Sequence, residues 1–133
     1  MDNKFFGGDY IWDIETYPNV ITLAFMSADT KDKFAFEISK RKNELGDFLE
    51  FYRKSKRENY RWVGFNNLGF DYPVVHWILE KAKDAKFEGK ELKLSANTIY
   101  KYAMEVIDSK KDGSFGIRVK DSDIIIKQLD LFK

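Results

Sequence analysis

Three carboxylates in the sequence have the types and spacing that a metal-dependent hydrolase needs. Asp13 and Glu15 stand two residues apart at the end of a predicted strand, so both side chains point to the same face. Asp71 lies between the end of a later predicted strand and the start of a predicted helix. Ligands at strand ends meet in the crevice of an open α/β sheet, so we expect these three side chains to share one site.

Such a group of carboxylates predicts a site for hard divalent cations. Mg²⁺ prefers carboxylate oxygens and takes only one or two protein carboxylates besides water and phosphate. Two such ions about 3.5–4 Å apart clamp the attacking and leaving oxygens of a phosphodiester. No nucleophilic side chain is then required, which suits a chain with no Cys and a single His. The expected chemistry is phosphodiester hydrolysis.

Each carboxylate also has a plainer interpretation. An Asp-x-Glu pair at a strand end can be a turn with solvated charges. An Asp before a helix is more often an N-cap than a metal ligand. The combination is more specific than its parts. Asp-x-Glu-Thr (13–16) ends the first strand, and Asn-x-x-Phe-Asp (67–71) falls between a later strand and its helix.

Hydrophobic periodicity predicts the first elements that position these residues. Three segments rich in β-branched and aromatic residues predict an antiparallel meander. They are residues 10–13, 20–26 and 33–38, with a loop at 15–19 and a polar turn at 27–32. An apolar stripe at helical spacing over residues 45–52 then predicts an amphipathic helix.

The second half of the chain predicts alternating strands and helices. A buried strand at 61–65 is followed by a helical stripe at 74–82 and a helix at 96–107, with Ser95 as a candidate N-cap. A loop at 108–116 and a final strand at 124–131 complete the order β-β-β-α-β-α-α-β. This order predicts an α/β domain with a mixed sheet, in which an antiparallel three-strand meander is followed by parallel strands and flanking helices.

Composition limits the classes of function. The 133 residues suffice for one domain, and 44% apolar with 34% charged residues predict a folded protein. The 23 basic and 22 acidic side chains argue against a protein that grips duplex DNA by charge alone. The absence of Cys excludes disulfides and thiolate chemistry. No signal peptide or apolar run of about 18 residues is present, so we expect a cytoplasmic protein without a membrane partner.

Two motifs resemble those of a known nuclease family. Tyr-Ile-Trp-Asp-Ile-Glu-Thr (10–16) is similar to the first exonuclease motif of DEDD-type 3′→5′ exonucleases. Phe-Asn-Asn-Leu-Gly-Phe-Asp (65–71) is similar to the second motif, in the form found in family B and protein-primed phage DNA polymerases. The closing Gln-Leu-Asp-Leu-Phe-Lys (128–133) resembles the strand that precedes the third motif.

The resemblance implies a ribonuclease H-like fold and two-metal hydrolysis, with Mg²⁺ or Mn²⁺, of the 3′-terminal nucleotide of single-stranded DNA. Asp13 and Asp71 match metal-bridging ligands, and Glu15 matches the carboxylate that holds one metal and the attacking water. Residues matching Thr16, Asn67 and Phe70 contact the single-stranded 3′ end in the polymerase members. Phe70 suits base stacking, although a buried packing role at the helix start fits it equally well.

The third motif of the family, with its fourth metal-binding Asp, is not found in the sequence. Asp130 lies on a strand instead of a late helix, and the Asp121–Asp123 pair is expected to be a solvated loop. His76 is expected at the surface or its boundary. Since catalytic groups that act as a unit lose orders of magnitude when one is removed, we expect weak or no activity from this chain alone.

Residues 1–133 are therefore expected to form the N-terminal portion of a single exonuclease-like domain whose C-terminal part is missing. The missing part could follow Lys133 in a longer chain, as in a polymerase, or come from a second chain that supplies the third motif. A naturally short gene is another explanation.

Two other functions stay open. A non-catalytic nucleic-acid-binding module would keep the fold without hydrolysis, and a phage interaction protein would be insensitive to the loss of Asp13.

Overall fold

The computed structural model describes residues 8–111 and 116–132 and contains a mixed five-stranded sheet with flanking helices. The strands are β1 (Asp9–Tyr17), β2 (Val20–Ser27), β3 (Lys33–Ser39), β4 (Arg61–Gly64) and β5 (Lys127–Asp130). The helices are α1 (Leu45–Arg57), α2 (Tyr72–Phe87) and α3 (Ala96–Asp108), with a π-helical turn at Asn67–Asp71 and a 3₁₀ turn at Asp121–Asp123. This order confirms the predicted α/β architecture.

The sheet has the strand order β3-β2-β1-β4-β5. β3, β2 and β1 pair antiparallel, as the predicted meander requires, and β4 and β5 join β1 as parallel strands. Parallel strands need a crossover connection. Between β1 and β4 the chain passes through β2, β3 and the helix α1. The carboxyl ends of β1, β4 and β5 therefore lie at the same edge of the sheet.

One face of the sheet carries the hydrophobic core. On this face, alternate side chains of the strands are buried. The helices pack their own apolar side chains against them. Aromatic rings dominate the centre, where Trp62 packs against Trp12, Phe25, Phe48 and Phe51 with ring centroids 4.9 to 6.3 Å apart. Most of the aromatic excess in the sequence is thus used in packing.

The opposite face of the sheet is left open in the described part of the chain. It presents alternate residues of the same strands, among them Ile11 and Asp13 on β1, Ala24 on β2, Ala35 on β3 and Leu129 on β5. A shallow apolar groove of about 440 Å³ runs along it beside Asp13. We call this the open face.

Several predicted boundaries need correction. β1 continues to Tyr17, so Glu15 and Thr16 lie in a strand and not in a loop, because hairpin pairing with β2 persists to Tyr17 and Val20. The final strand, predicted at 124–131, is shorter, because pairing with β4 covers only Lys127–Asp130.

The third helix was predicted well, and Ser95 caps it by accepting a hydrogen bond from the amide of Thr98 at 3.1 Å. The helix extends one residue beyond the predicted end, to Asp108. Residues 112–115 of the predicted loop at 108–116 lie outside the described residues. None of the helices in the described ranges is long and apolar enough to cross a membrane.

Candidate active site

Strand β1 presents two of the three predicted carboxylates on the open face. Asp13 and Glu15 are both exposed, whereas Trp12 and Ile14 between and beside them are buried in the core. Strand alternation produces this arrangement, as the Asp-x-Glu spacing predicted. β1 extends beyond the end of its parallel neighbour β4, because the two strands pair only from Asp9 to Ile11 of β1. The carboxylates thus stand beyond the paired region.

Asp71 reaches this strand from the turn that follows β4. The turn begins at Asn66 in the left-handed region (φ 58°), a conformation that Asn tolerates better than most residues, and winds as a π-helical turn into α2. The Oδ2 atom of Asp71 accepts a hydrogen bond of 2.9 Å from the amide of Ile14. Asp71 makes no capping bond to α2, so the N-cap interpretation does not describe its side chain.

The surroundings of the Asp71 carboxyl disfavour its ionised form. Its side chain is almost fully buried, with the residue only 5% exposed. Its pKa is raised from 3.8 to about 7: burial is the largest cause, the neighbouring Asp13 carboxyl adds to it, and the hydrogen bond from the Ile14 amide partly opposes both. The two carboxyl groups therefore lie close together, and their proximity adds to the burial that raises the pKa of Asp71.

Glu15 is less closely engaged. It lies on the same strand face as Asp13, two residues further along. Within residues 8–111 and 116–132 no set of three or more His, Cys, Asp or Glu side chains is arranged to hold a metal ion. Asp13 and Asp71 therefore lie close together, whereas Glu15 does not join them in a three-carboxylate cluster.

Asp130, at the end of β5, organises the turn that carries Asp71. It is buried, at 7% exposure, and its carboxylate accepts hydrogen bonds from the amides of Asn66 (2.7 Å), Leu68 (3.1 Å) and Phe132 (2.9 Å). Asp130 was not predicted to be a fourth metal ligand, and its role in positioning this turn was not predicted. The available signal was its place at the end of a strand that neighbours β4 at the same sheet edge.

The three residues predicted to contact DNA differ in how exposed they are. Thr16 is half-buried near the end of β1, and Phe70 is half-buried and packed against the core, which matches the packing alternative for that ring. Asn67 is fully buried, and its Nδ2 donates to Oε1 of Gln128 at 2.8 Å. Asn67 therefore supports the turn, and a DNA strand could reach it only after a rearrangement. Its Oδ1 is buried without a partner in the described residues.

Gly64 allows this buried amide to sit against the end of β4. A Cβ atom at position 64 would lie 3.0 Å from Cβ and Cγ of Asn67, closer than side chains normally pack.

The two other polar candidates lie on separate elements, α2 and the 3₁₀ turn. His76 faces Glu80 at 3.6 Å, one turn further along α2, and Asp121 is exposed on the 3₁₀ turn.

Comparisons with models of protein families, with curated proteins and with solved structures give no match to this chain.

Proposed function

We propose that this chain is a DEDD-type, metal-dependent 3′→5′ exonuclease domain that acts on the ends of single-stranded DNA. The observation that carries the proposal is the convergence of Asp13 and Asp71. They come from separate elements, and the Asp71 carboxylate is bonded to a β1 amide 57 residues away in sequence. Keeping a buried carboxyl next to a second one costs stability, which favours a functional reason for the pair.

The architecture supports a ribonuclease H-like fold. An antiparallel meander joined by parallel strands, in the order β3-β2-β1-β4-β5, is the arrangement that the resemblance to DEDD nucleases implies. The first motif lies on the central strand of this sheet, and the second lies on the turn that returns to it. Both motifs thus reach the carboxyl edge where α/β sheets bind ligands.

The carboxyl pair fits one divalent cation. Two acidic side chains in contact, one of them buried, disfavour their own joint ionisation, and a cation between them would remove that repulsion. Glu15, exposed on the same strand face, is the remaining carboxylate that could complete the coordination or orient a water. The donor set is suited to Mg²⁺ or Mn²⁺, whose preferred ligands are oxygens.

A bound divalent ion would supply charge neutralisation of the phosphodiester and activation of a water. The chain's own residues prepare this chemistry. The Ile14 amide fixes the direction of the Asp71 carboxylate, and the Asp130 carboxylate fixes the turn that delivers it. Asp13 stays exposed and accessible to a substrate phosphate. In this proposal Glu15, exposed on the same strand face as Asp13, accepts a hydrogen bond from the attacking water.

The activity of this chain alone is proposed to be weak. A two-metal centre of the DEDD family uses four carboxylates, whereas the described residues bring only two close together. A polymerase domain or a second chain that contributes the third motif would complete the centre, and the open face beside Asp13 leaves room for it. The proposed substrate is the single-stranded 3′ end, and the proposed location is the cytoplasm, that of the host if a phage encodes the protein.

The test is degradation of a 5′-labelled single-stranded DNA oligonucleotide in Mn²⁺. We expect slow one-nucleotide shortening from the 3′ end by the wild-type protein and by Asp29→Ala, a control at an exposed turn residue. Asp13→Ala, purified in parallel, should show no shortening. Equal products from wild type and Asp13→Ala would refute the assignment.

A non-catalytic nucleic-acid-binding module is the second candidate. The lack of a three-membered ligand cluster among the described residues favours it. It predicts that the wild-type protein binds single-stranded DNA without producing a ladder, and that Asp13→Ala binds equally well.

A further inference from the structure

Two phenylalanine rings lie exposed at the carboxyl edge of the sheet. Phe65 is 67% exposed and Phe132 is 60% exposed. Their ring centroids lie 5.0 Å apart at an interplanar angle of 58°. Leu131 beside them is 65% exposed. Contiguous exposed apolar side chains of this kind mark a binding surface more often than an isolated exposed residue does.

The aromatic pair lies at the same edge of the sheet as the carboxyl pair. Pairing between the parallel strands β1 and β4 is recorded as far as Ile11 with Val63. Asp13 lies two residues beyond that pairing on β1, and Phe65 directly follows β4 at Gly64. The turn that starts at Asn66, immediately after Phe65, carries Asp71.

A single carboxylate fixes the backbone beside both rings. Oδ1 of Asp130 accepts hydrogen bonds from the amide of Asn66, directly after Phe65, and from the amide of Phe132 itself. The amide of Leu131 donates to the carbonyl of Gly64 at 2.9 Å, which ties the end of β5 to the end of β4. The backbone that carries the two rings is therefore ordered before any ligand arrives, which lowers the entropic cost of binding.

Exposed aromatic rings at this edge suit an unpaired nucleobase. Each base has a flat π-face that stacks on an aromatic ring whatever its identity. The chain has a net charge of only +1, so affinity for a single strand must come from sources other than a strongly basic groove. Phe70, the ring expected from the sequence to stack, is half-buried against the core and offers less free surface than Phe65.

We propose that Phe65 and Phe132 form a stacking platform for an unpaired base near the 3′ end of the strand, next to the phosphodiester that meets Asp13 and Asp71. This inference rests on the proposed exonuclease function and names the residues that hold its substrate. Phe65 and Phe132 contact the base and not the reacting atoms, so they govern affinity and not the chemical step.

The test measures binding without hydrolysis. Fluorescence anisotropy of 5′-labelled oligo(dT) in Ca²⁺ gives the Kd for the wild-type protein and for Phe65→Leu, Phe132→Leu and Phe65→Trp. Stacking of one base predicts a roughly 5- to 150-fold weaker Kd for each Leu variant and retained affinity for the Trp variant. Leu keeps an apolar side chain but lacks the π-face, so the comparison separates stacking from general apolar contact.

Phe87→Leu is the matched control. Phe87 is 93% exposed at the far end of α2, the helix that starts directly after Asp71. Sixteen helical residues at about 1.5 Å each place it roughly 24 Å from the carboxyl pair. Its Kd should equal that of the wild type. Unchanged urea midpoints should show that all the variants fold.

The outcomes separate this platform from the function on which it rests. Equal Kd values for Phe65→Leu, Phe132→Leu and Phe87→Leu, with cleavage still lost in Asp13→Ala, would overturn the platform and leave the nuclease intact. A wild-type protein that neither binds nor shortens the strand would remove both proposals. If Phe65→Leu abolished self-association in sedimentation without changing the Kd for DNA, the rings would be a protein interface, and the platform would be refuted.

Discussion

Replacing the buried Asp71 with Asn should stabilise the metal-free protein at pH 8. Asn is nearly isosteric with Asp, its Oδ1 can still accept the hydrogen bond from the Ile14 amide, and its amide group can donate to Asp13. What the substitution removes is a negative charge that burial and Asp13 both disfavour. An active-site residue that costs stability is expected where function requires an otherwise unfavourable charge.

The magnitude and the pH window follow from the raised pKa. The Asp71 carboxyl titrates near 3.8 in the unfolded chain and near 7 in the folded protein. Between these values the folded state binds more protons than the unfolded state, so the free energy of unfolding of the wild type falls as the pH rises. The full penalty, at most about 4 kcal/mol at 1.36 kcal/mol per pKa unit, is present above pH 7. We expect about 2–4 kcal/mol, the lower value applying if the exposed Asp13 side chain rotates away.

Urea unfolding of the wild type, Asp71→Asn and Asp29→Asn between pH 4 and pH 8 measures this difference. At pH 4, where the Asp71 carboxyl is protonated in the folded state, Asp71→Asn and the wild type should have nearly equal free energies of unfolding. The difference between them should grow as the pH rises. Asp29→Asn, at an exposed turn, should follow the wild type throughout. An Asp71→Asn variant that is no more stable than the wild type at pH 8 would refute the electrostatic description of the pair.

Three further substitutions test the supports of the site. Asp130→Ala removes the acceptor of three backbone amides and should cost about 3 kcal/mol or more in urea unfolding, whereas Asp121→Ala, at an exposed carboxylate, should cost less than about 0.5 kcal/mol. Similar losses from both would contradict the role of Asp130. Gly64→Ala should cost about 1–3 kcal/mol by displacing the buried Asn67 side chain, and an unchanged midpoint would show that the turn can yield. Ser95→Ala should lower the stability by about 1 kcal/mol through loss of the α3 cap, and a thermal unfolding midpoint equal to that of the wild type would argue against that cap.

The elements of the fold were predictable because their signals are local. Alternating residues in the meander and the apolar stripe from Leu45 onward report which face is buried, and Ser95 has the side chain that an N-cap requires. The strand pairs could be inferred from order alone, since a hairpin produces antiparallel neighbours and helical crossovers produce parallel ones. The end of β1 was misplaced because Pro18 and Asn19 indicate a turn but not how far pairing persists before it.

The site was predictable only in part. Strand spacing and the two motifs located Asp13 and Asp71, but no sequence pattern states that Asp71 will bond to the amide of Ile14. The role of Asp130 depends on parallel pairing between β4 and β5, a long-range contact that local periodicity does not encode. For the same reason Asn67, which looks like a surface hydrogen-bonding residue in the motif, is buried against Gln128.

Mn²⁺ binding tests the central claim, that Asp13 and Asp71 form a divalent-cation site, most directly. Electron paramagnetic resonance of free Mn²⁺ in titrations of the protein gives the number of bound ions and their affinity. We predict at least one bound ion per wild-type chain, with binding lost in Asp13→Asn and in Asp71→Asn and kept in Asp29→Asn. Equal Mn²⁺ binding by all four proteins, or none by the wild type, would contradict the assignment of this carboxyl pair as a metal centre.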